Sequence, residues 1–333
     1  MNRIYEIWAI LEEKNQQTFG LNKVRYSESS HSDLYLGVKH PENQRLLLLR
    51  SDAAEPDLPG NRDFKGLRLE KIYDTSVPGK IFLSLILTDR TFTGIFDTIV
   101  QDIAFAVEEN LSFPAIRVFT ERLEKWHAIF EQFAPSGLSE SAQCGLYGEL
   151  ALLYKLLLHA QDRAQVVRSW TGPRRTVHDF QYGPCSIEVK VTTGNNHQKI
   201  QISNERQLDS SGIPELFLYH LSLEVRQQAG ETLNAIADKL NFLLEPDFVV
   251  SAKFKTLLAE AGYFEHHRKL YDDRGYILRQ ENFYRVGGDF PRIEEKDLRK
   301  GVGDISYSII AAQLSPYSIP ESETLRKFGT NDD

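Results

Sequence analysis

The stretch that decides the fold is Val177-His178-Asp179-Phe180-Gln181-Tyr182-Gly183-Pro184-Cys185-Ser186-Ile187-Glu188-Val189-Lys190-Val191-Thr192. Its second half alternates strictly. Ile187, Val189 and Val191 fall on one face and Glu188, Lys190 and Thr192 on the other, the period of a strand with one apolar side. Gly183-Pro184 can turn the chain, so that the strand carrying Asp179 folds back beside the one carrying Glu188. Two carboxylates and a lysine then meet at one place.

Two carboxylates about 4 Å apart repel by roughly 4 kcal/mol at an effective dielectric of 20, so such a pair needs an offsetting charge. A divalent cation supplies it. One or two carboxylates with open water positions suit Mg²⁺ at a phosphate-transfer site, where Lys190 can hold the attacking water or the scissile phosphate.

Upstream, Ser139 reads as the N-cap of a helix from Glu140 to about Ala160, with Leu146, Leu150, Leu153 and Leu157 as its apolar stripe. Gly145 and Gly148 let it approach a sheet closely, which brings Glu149 towards the carboxylates. A carboxylate facing such a core is costly unless it is paired or metal-linked.

In order and spacing, Asp179, Glu188 and Lys190 resemble the signature of the PD-(D/E)XK nuclease superfamily, an acidic residue on one strand and (D/E)-x-K on the next. Gly145 to Leu150 is similar to the helix that often adds a glutamate there, at Glu149. The sequence departs from the pattern at His178, where the signature has proline. The resemblance covers about residues 139 to 208. The chain as a whole looks like the uncharacterised PD-(D/E)XK proteins encoded in bacterial restriction and phage-defence clusters.

The resemblance implies a Mg²⁺- or Mn²⁺-dependent DNA endonuclease in which Asp179, Glu188 and Glu149 bind metal and Lys190 is catalytic. It also implies a homodimer or partner subunits of a defence complex. The alternative is a catalytically silent nuclease-fold subunit whose acidic N-terminal half binds other proteins of a DNA-processing complex.

The triplet by itself is common. The chain holds four, Glu12-Glu13-Lys14, Asp63-Phe64-Lys65, Glu188-Val189-Lys190 and Glu294-Glu295-Lys296. Pro56-Asp57 before Asp63 even spells the motif, but in a Pro/Gly loop, and Glu294 lies in a charged run. Only Glu188 has an alternating strand, a turn, an acidic segment upstream and a preceding apolar helix.

Outward from this core, 333 residues give about two domains. With 41% apolar and 26% charged residues, and only 21 Gly and 13 Pro, disordered and collagenous classes do not fit. Short apolar runs read as strands at Asp33–Lys39, Arg45–Ser51, Leu67–Tyr73 and Lys80–Leu87, the first two joined by a hairpin at His40–Asn43. Helical periodicity follows at Ile95, Ile99, Ile103 and Val107, then at Phe119, Leu123, Trp126 and Phe130. Pro135-Ser136-Gly137 ends the second helix. This places a β-rich recognition or partner-docking domain with a helical extension at 1–135 and the nuclease-like domain, a mixed sheet flanked by helices, at 136–333, an α/β chain that is α+β overall.

In the second domain, Gln165–Trp170, Thr176–Tyr182, Ser186–Thr193 and Leu216–Glu224 read as strands, and Asn204–Leu208 as a short helical stretch. Glu231–Leu244 and Pro246–Gly262 read as helices, and Tyr276–Arg279 and Phe283–Val286 as a strand pair. Asp304–Leu314 is an apolar stretch, and Glu321–Asp333 a frayed tail.

The formal charge of −8, from 39 basic and 47 acidic side chains, excludes a protein that coats nucleic acid through bulk charge. The acidity is uneven: residues 1–150 are net −6 (16 basic, 22 acidic), whereas 160–206 hold seven cations against four anions. Arg174, Arg175 and Lys199 are candidates for binding phosphate, and Thr192, Gln201 and Asn204 for lining a groove. His178 points away from Asp179 on a regular strand and reads as packing. His266-His267 lacks a third metal-spaced ligand and reads as surface. The two cysteines, Cys144 and Cys185, support neither a zinc cage nor a disulfide framework and suit a reducing cytoplasm. No apolar run is long enough for a membrane span, and no phosphate-binding P-loop or GxGxxG follows a strand.

Overall fold

The computed structural model describes residues 3–13, 20–27, 32–132, 137–174, 176–194 and 199–328. The chain divides into two compact units, Met1–Pro135 with Phe264–His266, and Ser136–Tyr263 with His267–Asp333.

Among the described residues, the first unit opens with helix α1 (Arg3–Glu13) and carries an antiparallel sheet of β1 (Gly20–Arg25), β2 (Leu34–His40), β3 (Gln44–Asp52), β4 (Arg62–Phe64), β5 (Leu67–Tyr73) and β6 (Lys80–Leu87), in the order β1-β2-β3-β6-β5-β4. Leu46 to Leu49 are all buried because β3 lies centrally. One face forms a cluster of Leu46, Leu48, Phe82 and Ile86. Helices α2 (Thr93–Glu109) and α3 (Ala115–Gln132) follow and pack together. The sequence missed β1, whose Asn22, Lys23 and Arg25 disguise an edge strand, and β4, which lies in the segment read as a loop.

The second unit carries helices α4 (Glu140–Leu158), α5 (Arg163–Ser169), α6 (Leu233–Leu244), α7 (Phe248–Glu260) and α8 (Glu321–Lys327). Its strands are β7 (Phe180–Tyr182), β8 (Cys185–Thr192), β9 (Lys199–Ile202), β10 (Glu215–Gln227), β11 (Glu231–Thr232), β12 (Arg274–Val286), β13 (Tyr307–Ile310) and β14 (Ser318–Ile319). The main sheet runs β11-β12-β10-β8-β7, with β14 on β12. β8 and β10 are parallel and the other pairs antiparallel.

β9 and β13 form a separate two-stranded ribbon. Its Ile200, Ile202 and Ile309 pack with Leu216 and Leu218 of β10 and Tyr284 and Val286 of β12, which covers one face of the sheet. α4 packs against β8 on the other face, where Gly148 sits against Val189 and Val191.

That contact is tight. A Cβ at Gly148 would lie 2.4 Å from Val191 Cγ2 and 3.3 Å from Val189 Cγ1. Removing a helical glycine ordinarily gains about 0.5–1 kcal/mol, but overpacking a core costs about 1–3 kcal/mol, so the clash wins. Gly148→Ala is expected to lower the thermal unfolding midpoint by several degrees, as followed by circular dichroism. An unchanged or raised midpoint would show that helix and sheet are not in this contact.

Four readings change. Gln165–Ser169 is not strand but lies in α5, with Trp170 as its extended C-cap, because Asp162 caps the helix by accepting the Gln165 N–H (3.0 Å) and Val166, Val167 and Trp170 are buried. Only Phe180–Tyr182 of the segment 176–182 is strand. Before it, the hydroxyls of Thr171 and Thr176 both donate to the His178 carbonyl, the local competition that dissolves a ladder. Tyr276–Arg279 and Phe283–Val286 belong to one continuous strand, β12, whose polar middle stays paired with β10 through a bulge at Ser222/Leu223. Part of the tail forms α8, with Thr324, Leu325 and Phe328 buried; residues 329–333 lie outside the described ones.

Candidate active site

β7 pairs with β8 only as far as Ile187, so among the described residues the edge of β8 beyond it is open. At that edge lies a cleft of about 650 Å³ lined by Glu149, Asp179, Glu188, Lys190, Gln201 and Gln207, among others. Each acidic group arrives from a different element.

Glu188 and Lys190 come from β8. Glu188 is in register with Leu218, a member of the ribbon-side core, so its side chain leaves the sheet on that face. Asp179 precedes β7 and is pinned through its carbonyl, which accepts the N–H groups of Thr171 (2.8 Å) and Gly172 (2.9 Å). Its Oδ2 accepts the open-edge N–H of Val189 (2.8 Å). Glu149 comes from α4, and its Oε2 accepts the indole N–H of Trp170 (2.7 Å). Gly172 leaves the space between them: a Cβ there would lie 2.6 Å from Glu149 Oε2 and 3.0 Å from Asp179 Oδ1. Lys190 Nζ donates to Glu188 Oε1 (2.8 Å) and Gln207 Oε1 (3.0 Å).

The electrostatics are those of too much negative charge in too little water. Burial first, and the Asp179 carboxylate second, push the Glu188 carboxyl up to about 8, against the lowering effect of Lys190. Burial and the same neighbour raise Glu149 well above the ordinary carboxylate range. Burial raises Asp179 as well, though the Val189 N–H and Lys190 oppose it.

Among the described residues no three His, Cys, Asp or Glu side chains form a ready-made metal cage. The donors suit a hard cation that keeps most of its waters: carboxylates only, and Glu188 Oε2, which is buried yet accepts no hydrogen bond from the described residues. A buried acceptor left unmatched is costly, and a cation or its water would relieve it.

The other candidates separate. Arg174 is exposed and paired with Glu260 (3.4 Å). Arg175 lies outside the described residues. Lys199 is exposed at the start of β9, while Gln201 of the same strand lines the cleft and donates to Ser306 Oγ (2.7 Å). Thr192 is buried, 2.9 Å from His220 Nε2, and so does not line a groove. Asn204 caps the turn at Glu205–Leu208.

His178 is buried, and that burial lowers its pKa, which fits packing. His266 is exposed as read, but His267 is buried. Burial pushes both thiols up to about 11, so neither is ionised at neutral pH. Of the competing triplets, Asp63 is an exposed partner of Arg68 and Glu294 is held between Arg292 and Lys296. Glu12 pairs with Arg45, and Lys14 lies outside the described residues.

Trp170, Gly172 and Gln207 were not legible as site residues. Trp170 falls in a segment whose sequence reads as a strand, and Gln207 lies far from Lys190 in sequence, with no motif linking them.

The profile of a family described as "Putative PD-(D/E)XK family member, (DUF4420)" matches residues 4–312. The chain belongs to this family. The match takes in both units of this DUF4420 protein. A divalent metal is typical of PD-(D/E)XK chemistry. No curated protein and no solved structure matches the chain. Among the described residues of this DUF4420 protein no helix is long and apolar enough to cross a membrane.

Proposed function

We propose that the protein is a Mg²⁺- or Mn²⁺-dependent endonuclease that hydrolyses phosphodiester bonds in DNA. The observation that carries this reading is the open edge of β8, where Glu149, Asp179 and Glu188 face one cleft beside Lys190 and the carboxyls resist ionisation. Asp179 and Glu188, assisted by Glu149, would hold the ion. When bound, it supplies charge that stabilises the crowded phosphorus and acidifies a water.

The chain's own residues do the rest. The main-chain bonds of Thr171 and Gly172 fix Asp179, and Trp170 fixes Glu149, so the carboxylates are oriented before any substrate arrives. The Lys190 ammonium holds an oxygen of the attacking water or of the scissile phosphate and stabilises the charge that grows there.

One such site cuts one strand. Double-strand cleavage therefore calls for a homodimer, partner subunits or two successive events. The first unit, acidic and rich in β-structure, is assigned recognition or partner docking. The setting in bacterial restriction or phage defence, and with it a cytoplasmic location, rests on the family resemblance.

The test is conversion of supercoiled plasmid to nicked circles with Mg²⁺, with Mn²⁺ and with EDTA. Nicking that needs the metal and is lost in Asp179→Ala supports the reading. Metal-dependent nicking that survives Asp179→Ala would place the chemistry elsewhere.

A further inference from the structure

Lys190 is useful to phosphodiester chemistry only if its ammonium stays at one point of the cleft. A lysine has a long, flexible stem and three donors, so it needs acceptors to hold it. One acceptor is Glu188 Oε1, on the same strand. The other is Gln207 Oε1, in the 3₁₀ turn Glu205–Leu208 that follows β9.

Gln207 is itself held. The oxygen that accepts from Lys190 also accepts the N–H of Ser203 at 2.8 Å, which fixes the amide's orientation with its carbonyl towards the lysine. The Gln207 main chain lies near the ring of His178, the residue before Asp179, and favours its protonated form. The turn is anchored by Leu208, fully buried in the core between ribbon and sheet. Asn204 caps it by accepting the Arg206 N–H (3.1 Å). One residue thus ties Lys190 on β8 to the segment that presents Asp179.

We infer that Gln207 is a positioning residue. It fixes the Lys190 ammonium between an amide oxygen and Glu188, and so sets where the lysine meets water or phosphate. Its consequence for cleavage rests on the endonuclease reading above; its hold on Lys190 does not.

The test uses full-length protein in two measurements. In the first, metal-free protein is pulsed with acetic anhydride and acylation of Lys190 is read by peptide mass spectrometry. Gln207→Leu removes the acceptor at nearly constant volume and is expected to raise Lys190 acylation several-fold, while Gln207→Glu, which restores an oxygen, returns it to the wild-type level. In the second, plasmid nicking with Mg²⁺ is expected to fall by about 10–100-fold in Gln207→Leu, the usual scale for a group that orients a reacting one. KM should stay within about twofold of wild type, the Mg²⁺-induced rise in melting temperature should persist, and Gln207→Glu should recover the rate.

Equal acylation of Lys190 in wild type and Gln207→Leu would overturn the inference, as would increased acylation with an unchanged nicking rate. If Gln207→Leu fails to fold, by circular dichroism, the shorter Gln207→Asn decides by the same two readings. A wild type that never nicks DNA, yet shows the acylation contrast, would count against the endonuclease and leave the hold on Lys190 standing.

Discussion

Lys190→Ala is expected to lower metal-dependent plasmid nicking by at least about 100-fold while leaving the protein folded. The magnitude follows from the role proposed for the ammonium: a preorganised donor aimed at developing charge in a water-poor site is worth about 10²–10³ in rate. Folding survives because the group left behind is Glu188, whose carboxyl burial already pushes up to about 8; without the lysine it simply stays protonated. Lys190→Arg is expected to rescue little, since the planar guanidinium cannot reproduce a compact charge held between Glu188 and Gln207. Cleavage by Lys190→Ala at the wild-type rate would remove the lysine from the mechanism. Far-ultraviolet circular dichroism on the same samples separates a lost reaction from a lost fold.

Glu188→Gln is expected to do two opposite things: stabilise the metal-free protein and abolish its thermal response to Mg²⁺. The Glu188 carboxyl is raised from 4.5 to about 8, so the folded state favours the protonated form. The linked stability is fully present below about pH 4.5 and is lost as pH rises towards 8. At pH 7 the difference amounts to at most about 3 kcal/mol, or several degrees in the midpoint of a unit this size. The amide is neutral at every pH and is spared that loss. The two proteins should therefore melt together near pH 5 and diverge, with the variant higher, by pH 8.

In wild type, the Mg²⁺-induced rise should grow over the same interval, because a carboxylate must lose its proton to take up metal. In Glu188→Gln the rise should be absent. Differential scanning calorimetry between pH 5 and 8.5, with and without Mg²⁺, reads both effects. A variant less stable than wild type at pH 8 would show that Glu188 is not held against its own ionisation.

The site was legible in the sequence where local periodicity carries it. Ile187, Val189 and Val191 alternate with Glu188 and Lys190, so the strand, its faces and the two charged groups it sends into the cleft follow from period two alone. Glu149 was legible more weakly, through Gly148, whose missing side chain admits Val191. Asp179 is legible as a residue but not in its setting: it ends a hydrogen-bonded loop and does not lie within a strand, because Thr171 and Thr176 satisfy its neighbour's main chain.

The supports were not legible at all. Trp170 follows a β-branched pair that mimics a strand, and only the Asp162 cap turns that segment into a helix that delivers the indole to Glu149. Gln207 reaches Lys190 through tertiary packing of the ribbon, which no spacing encodes. The same limit explains β12, whose run Arg279-Gln280-Glu281-Asn282 looks like a connection until β10 lies beside it.

The short reach of β7 has a consequence for solubility. A strand edge left open is a template on which another chain can add a strand. Here the opening is plugged by a side chain: the Asp179 carboxylate occupies the Val189 N–H, the donor an incoming strand would need first. The neighbouring Lys190 sets a charge at the same edge. The carboxylate facing the cleft therefore also takes one ladder donor out of that edge, a device by which sheets discourage the addition of a further strand.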